Sequence, residues 1–537
     1  GLIAKPPTPI SRLTIAADCS EIGSRGHRPR SIMKPMSRTI RFARNTGINL
    51  AGQFGIAVIS FFATPFLIHR MGIETYALYI LLYAISGYLA LLAFGAGAAT
   101  VKYTAQFLNA KNRGGLKDIL LYAGWTYFLG ALFGAAVVVI GARFWVVRLF
   151  HVPPVLTDMA IWVLYAAALG AVFAAVIQFL SAVLVGLQRF DLQIMIPLLQ
   201  NGLMPLGSAA LLAASFGLKE VVSWYVILQA GICLSFCAVV WTLLRPARGF
   251  KNGEGLSFKN YAVFSLYSWL VPVATTVNSQ IDKLFIVRAV SLTDLTLYSV
   301  PSGLLQRMQL LPATISTVLL PMLSEDHGPD SQRLLTRIYL KSTRFLLWIM
   351  LPILVLFFAF MPQFLTLWLG PAFVDGSVWP ARFLVLAQAF ATVNFIPNSI
   401  STSRDRPQYY SGTSLAQAVL NITFWWYLIP RYQILGAALG AWLSQMLVTA
   451  VNLSLVHRKF LLLSWKSYWI EVLYRPIFGA ALLMAVVFPL HHLAQTWPHL
   501  ILLSAGGGLV YAAAMWTAMH AEDREFIQML RNWIGGA

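Results

Sequence analysis

Residues 278–288 read NSQIDKLFIVR and set an acid beside a base, Asp282 and Lys283, directly after the apolar run FSLYSWLVPVATTV. Charged side chains are costly in hydrocarbon, and those that persist there mark ion or substrate paths. Asn278 and Asp282 are four residues apart and share a helix face, with Gln280 close by. The next apolar run carries Gln306, Arg307 and Gln309. Amides recur elsewhere at the same spacing: Asn45, Asn49 and Gln53 near the start, and Gln388, Asn394 and Asn398 further on. Such a set can do two kinds of chemistry. Lys283 and Arg307, with amides around them, could grip an anion and replace the hydration of a polar substrate, while Asp282 titrates or binds a coupling cation. Alternatively, Asp282 and Arg307 form a structural pair, and the amides are interhelical bonds worth about 0.6 kcal/mol each. Both readings stand from the sequence alone.

The elements that hold these residues are membrane helices. Of 537 residues, 58% are hydrophobic and 11% charged, with a mean hydropathy of +0.70; soluble domains carry about 25% charge. About fourteen apolar runs are long enough to cross some 30 Å of hydrocarbon as helices. The expected fold class is an all-α polytopic membrane protein. Thirty Lys and Arg fall on one side of these spans and six on the other (Arg70, Arg143, Arg148, Lys219, Arg288 and Arg431). Three lie within spans: Lys283, Arg307 and Arg382. The asymmetry puts both termini in the cytoplasm. It also accounts for the formal charge of +20 as topology, reinforced by anionic inner-leaflet lipid, and excludes a nucleic-acid footprint.

FLIHRMGIETYALY (66–79) and FIVRAVSLTDLTLY (285–298) align without a gap at an offset of 219, at equivalent topological places. Six spans separate them, so the halves share one orientation, as in repeats related by an axis along the membrane normal. The expected organisation is a disordered basic tail over 1–40, a first lobe over 41–245, a second over 246–460, two extra spans within 461–520 and a cytoplasmic tail from 521 to 537. The tail lacks a secretory h-region; residues before Met36 are expected to be disordered or a consequence of start-site choice. No P-loop, H-E-x-x-H or zinc-spaced Cys/His cluster occurs, so no cofactor, metal or catalytic residue is expected. Asp326 to Asp330 (DHGPD) could pass for a glycosyltransferase metal motif, but its short loop has no catalytic domain around it and reads as a solvated turn. Cys233 and Cys237 share a helix face without a His or carboxylate nearby and read as small buried residues.

The stretches NTGINLAGQFG (45–55), PFLIHRMGIETYALY (65–79), GAGAATVKY (95–103), GLQRFD (186–191) and SQIDKLFIVR…LYSV (279–300) resemble bacterial Wzx-like polysaccharide flippases. These are the polysaccharide-transporter branch of the superfamily that includes the multidrug and toxin extruders. The resemblance spans roughly residues 40–460. It implies two six-helix lobes around a central cavity, and the flipping of an undecaprenyl-diphosphate-linked oligosaccharide across the bacterial plasma membrane by alternating access, coupled to an ion gradient. Expected partners are that lipid-linked oligosaccharide, membrane lipid and other polysaccharide assembly proteins. On this reading Arg307, Lys283 and Arg70 hold phosphate, Asn278, Gln280, Asn49 and Gln53 replace sugar hydration, and Asp282 couples the ion. Fourteen spans exceed the family's usual twelve, a count shared with lipid II flippases, and the tail has no counterpart. Rival readings are a lipid II-type flippase, a multidrug extruder and a membrane glycan polymerase or ligase; the last would need a large outer loop that the sequence does not provide.

Overall fold

A computed structural model describes residues 38–316, 331–404, 406 and 408–518, with side chains from residue 51 onward apart from Arg248, Ser331 and Ala518. The tail before Arg38 and the DHGPD stretch lie outside the described residues. Apolar runs become helices because a helix pairs every backbone N–H and C=O within its own segment, as hydrocarbon demands. They are α1 (Arg38–Met71), α2 (Ile73–Leu89), α3 (Ala96–Asn109), α4 (Arg113–Phe144), α5 (Thr157–Gly186), α6 (Phe190–Ala213) and α7 (Leu218–Leu244). After a connecting stretch come α8 (Phe258–Thr276), α9 (Asp282–Ala289) and α10 (Leu292–Arg307). The remainder are α11 (Ser331–Ala359), α12 (Met361–Leu369), α13 (Val374–Ser403), α14 (Gln408–Val456), the single turn α15 (Trp465–Tyr468), α16 (Tyr474–Leu490) and α17 (Trp497–Ala518).

Eleven helices among the described residues are long and apolar enough to cross a membrane, against about fourteen runs read from the sequence. The difference has three sources. The helix Gln408–Leu461 counts once, but Gln433 (φ 53°, ψ −134°) breaks it, and Trp425 Nε1 donates to Ala437 O at 3.1 Å across the break. Residues 425 and 437 would lie about 18 Å apart in a straight helix, so α14 is an antiparallel hairpin. The α8–α9 stretch carries Asp282, Lys283 and Arg288, which lower its hydropathy. The helix α10 spans only 16 residues and gives way to a turn at 308–309.

The second apolar run, residues 76–98, is not one continuous helix. Phe94 and Gly95 adopt φ of 45° and 73° between α2 and α3. Gly95 is required here twice over. Its φ is left-handed, and a Cβ at this position would sit 2.0 Å from Ser265 O and 2.7 Å from Trp269 N on α8. Trp269 Nε1 donates to Leu91 O at 2.7 Å, the carbonyl that also accepts the Phe94 N–H at 3.2 Å.

Helices α2 to α7 pack chiefly on one another around α5, and α10, α11 and α13 with the α14 hairpin form a second group. The groups meet where α2 lies against α10 and α3 against α8. The two stretches of the internal repeat both fold as helix end, turn and helix start, and they touch: Thr296 Oγ1 donates to Ile73 O at 2.9 Å. The C-terminal helices α16 and α17 pair with each other and with α11. Trp497 at the start of α17 packs within 6.1 Å of Phe364 and 6.4 Å of Phe61 on α1, and Phe61 stacks on Trp368 at 5.1 Å. Trp368 Nε1 also donates to Phe61 O at 2.9 Å.

Candidate functional site: two adjoining cavities

Residues 277–281, between α8 and α9, form a wide π-type turn, one residue looser than an α-helical turn. Such turns cluster at functional sites because they leave carbonyls unpaired and re-aim side chains. Here side-chain donors reach carbonyls of the turn. Lys283 Nζ donates to Ser279 O at 2.8 Å and to Gln280 Oε1 at 2.6 Å, and the Tyr88 hydroxyl donates to Gln280 O. Helical periodicity sorts the sequence motif between two faces. Gln280 and Lys283 face one cavity, Asn278 and Asp282 another.

The first cavity, of about 570 Å³, lies between the two groups of helices. Gln53, Ser60 and Thr64 of α1, Tyr76, Tyr79 and Tyr83 of α2 and Asn201 of α6 line one side. Gln280, Lys283, Gln306 and Arg307 line the other. No carboxylate stands among these lining residues, so Lys283 and Arg307 give the cavity a positive character. Arg307 makes no ion pair among the described residues, where only Arg189–Asp191 and Lys283–Asp282 do. The structural pairing of Asp282 with Arg307 is therefore not what the fold builds.

The second cavity, of about 530 Å³, is enclosed by α8, α10, α13 and the α14 hairpin. Asp282 lies in its wall, 4% exposed, and Tyr298 lines the same cavity. One Asp282 oxygen accepts from the Lys283 backbone N–H at 2.9 Å and stands 4.0 Å from Lys283 Nζ. The rest of the lining is rich in amides. Gln417 Nε2 donates to Gln445 Oε1 (2.6 Å), and Gln445 Nε2 to Thr449 Oγ1 (3.3 Å). Asn394 Nδ2 also donates to Thr449 Oγ1 (2.7 Å), and Asn452 Nδ2 reaches Asn394 Oδ1 (3.0 Å) and Asn398 Oδ1 (2.9 Å). Asn421 Nδ2 donates to Asn278 Oδ1 at 2.9 Å, and Gln309 Nε2 to Gln388 Oε1 at 3.0 Å. Gln306 lines both cavities, so they share that wall.

The structure thus divides the residues that sequence grouped together. Gln53, Gln280, Lys283 and Arg307 meet in the first cavity; Asn278 and Asp282 belong to the second. Asn49 lies on α1, but its side chain is outside the described ones. Arg70 is corrected: it is exposed at the end of α1, its guanidinium 5.7 Å over the Phe66 ring, and lines neither cavity. The third intramembrane base, Arg382, is structural. It is buried, donates to Phe358 O at 3.1 Å and lies over the Trp379 ring at 5.0 Å. Sequence reasoning missed Gln417, Asn421, Gln445 and Asn452. Their signal was present, since Gln417 and Asn421 are four apart and Gln445 and Asn452 seven apart, each pair on one helix face. Among the described residues no three His, Cys, Asp or Glu converge on a metal site.

Comparison with known proteins places the fold. A family described as polysaccharide biosynthesis protein matches residues 123–377. No curated protein matches the sequence. Among solved structures, an inward-facing multidrug resistance MATE family transporter of the MOP superfamily superposes with a TM-score of 0.61 at 14% identity, over 76% of this chain and 98% of its own. The lipid II flippase MurJ in an inward closed conformation gives 0.60 at 12% identity, over 89% of this chain and 99% of its own. A MOP superfamily transporter from Pyrococcus furiosus gives 0.52 at 13% identity, over 79% and 95%.

Proposed function

From a chain with the MOP-superfamily fold and a polysaccharide-biosynthesis family match over its middle, we propose that this membrane protein flips a lipid-linked oligosaccharide across the plasma membrane of a bacterium. The observation that carries the reading is the sign of the first cavity: two bases, several amides and hydroxyls, and no carboxylate among its described lining residues. An unpaired intramembrane Arg needs an anion or water beside it. A polyprenyl diphosphate supplies the anion, and its sugars supply groups for the amides to bond. An extruder of organic cations would call for the opposite sign.

In this reading Lys283 and Arg307 hold the diphosphate between the groups of helices while the polyprenyl tail stays in lipid. Alternating access is a rocking of the first lobe (41–245) against the second (246–460). Both termini face the cytoplasm, as the thirty-to-six distribution of Lys and Arg favours. Asp282, buried in the neighbouring cavity, is the group that binds the coupling ion. The test is deletion of the gene in the source organism, followed by analysis of surface glycan and lipid-linked sugars. Accumulation of lipid-linked oligosaccharide on the inner leaflet with loss of surface glycan is the expected result. Normal glycan with altered drug sensitivity would overturn the reading in favour of an extruder. One observation favours a second headgroup: the lipid II flippase fold covers more of this chain than the MATE fold does. Accumulated peptidoglycan precursor in the deletion strain would select that reading.

A further inference from the structure

A further cavity, of about 640 Å³, lies away from the central pair, on the seam where α3 meets α8. One stripe of α8 runs along it. Asn260, Val263, Phe264, Tyr267 and Val271 recur at the three- and four-residue spacing of a single helix face. Tyr103 comes from α3 and Ser411 from α14, so both groups of helices contribute walls. The groove is open: Val263 is 49% and Tyr267 76% exposed, so in a membrane it fills with lipid. Its stripe also has a polarity. Lys259 and Asn260 stand at the start of α8, and Val271 lies about 18 Å further along at 1.5 Å per residue. Between them Ser268 is one small hydroxyl among apolar and aromatic groups. On the proposed topology the start of α8 faces the cytoplasm, where Tyr rings favour the headgroup level. A charged end at that level and an apolar end in the hydrocarbon follow the order of a phospholipid.

Charge selects the headgroup. Lys259 lines the groove. Lys102 stands beside it, with Nζ 4.1 Å over the Phe264 ring and 5.1 Å over the Tyr103 ring, both of which line the groove. A cation over aromatic faces is positioned by them and keeps its charge. Neither lysine makes an ion pair among the described residues, where the pairs are Arg189–Asp191 and Lys283–Asp282. No carboxylate stands among the described lining residues. Asp118 of α4 reaches the chain just before α8, but there it accepts the Leu256 N–H at 2.9 Å. A zwitterionic headgroup would bring a third cation to this corner; an anionic one brings the missing negative charge. We propose that the α3–α8 groove binds an anionic phospholipid of the cytoplasmic leaflet, its phosphate held by Lys102 and Lys259 and its acyl chain laid along Val263, Tyr267 and Val271. A lipid seated there touches α3 of one group and α8 of the other, on the same seam as Gly95, and ties the groups together at this end.

This inference is independent of what the central cavity carries. Full-length protein in detergent is titrated with phosphatidylglycerol, phosphatidylcholine and glycerol phosphate, and the bound species are counted by native mass spectrometry. The wild type is expected to take phosphatidylglycerol more tightly than phosphatidylcholine, and glycerol phosphate least. Lys259→Gln and Lys102→Gln should each weaken phosphatidylglycerol binding about fivefold, the worth of one base near a membrane surface, and leave phosphatidylcholine binding unchanged. Both lysines are exposed, and a melting temperature equal to wild type shows that the variants are folded. Lys466→Gln removes an exposed base on α15, away from the groove, and should bind as wild type. Equal wild-type affinity for the two lipids overturns the proposal. So does a lysine variant that keeps full preference for phosphatidylglycerol, or a folded one that loses both lipids alike. An equal loss in Lys466→Gln overturns it in favour of net charge, and glycerol phosphate binding as tight as the lipid overturns it in favour of free phosphate.

Discussion

Asp282 and Lys283 are chain neighbours with their charged atoms 4.0 Å apart, yet they line different cavities. Successive residues of a helix point about 100° apart, so Asp282 and Lys283 at the start of α9 reach different walls while their charged atoms stay close. The pair therefore forms a partition, with its carboxylate on the amide side and its ammonium on the basic side. Any change in the charge of Asp282 is felt by Lys283 through that partition.

Asp282→Asn keeps the shape of the side chain and its acceptor for the Lys283 N–H, and removes the charge. It is expected to abolish glycan export while the protein still accumulates in the membrane, as checked by complementing the deletion strain and by immunoblotting membranes. Full complementation would remove Asp282 from the mechanism.

Arg307→Ala takes away one of the two bases that line the first cavity. We expect export to fall by at least about tenfold, the loss of roughly 1.4 kcal/mol of charge-assisted binding, with Arg307→Lys retaining most of it. Equal loss in both variants would show that guanidinium geometry, and not charge, is what the site requires.

Tyr88→Phe leaves Gln280 O without its hydroxyl donor. Gln280 O keeps the Asp282 backbone N–H, so the loss is one part-buried hydrogen bond of about 0.5–1.5 kcal/mol, and the purified variant should melt at a slightly lower temperature than wild type. An unchanged melting temperature would show that the turn satisfies this carbonyl in another way.

Gly95→Ala should be among the most damaging single methyl additions in the chain. The new Cβ would meet backbone at 2.0 Å in a left-handed residue, and backbone cannot step aside as a flexible side chain can. Low membrane yield and a depressed melting temperature are expected. Gly231→Ala, where a Cβ meets nothing within 4 Å, is the matched control and should behave as wild type.

Much of this was legible in the sequence. Apolar run length gave the class, since hydrocarbon leaves helices as the way to satisfy the backbone of each run. The spacing of Asn278 and Asp282 put them on one face, and the 66–79 and 285–298 stretches do fold alike and meet through Thr296 and Ile73. What spacing could not show was that two cavities flank this helix, one on each side; with one cavity in view, Lys283 and Asp282 read as one cluster. Arg70 was misjudged for a related reason: its position in the repeat says where its backbone lies, whereas its guanidinium settles over Phe66, outside both cavities. The amides of α14 were passed over because uncharged groups in an apolar run stand out less than Asp282 and Arg307 do.

The contact at Gly95 has a mechanical consequence. Two helix groups that rock against each other need a place where they stay in touch, and here backbone meets backbone with no room for a methyl, steadied by the Trp269 bond to Leu91 O. On the proposed rocking motion that point is the fulcrum, and the helices on either side of it are lever arms. Displacement must then grow with distance from Gly95, so distance probes attached near it should report little change between states and those at the helix ends the most.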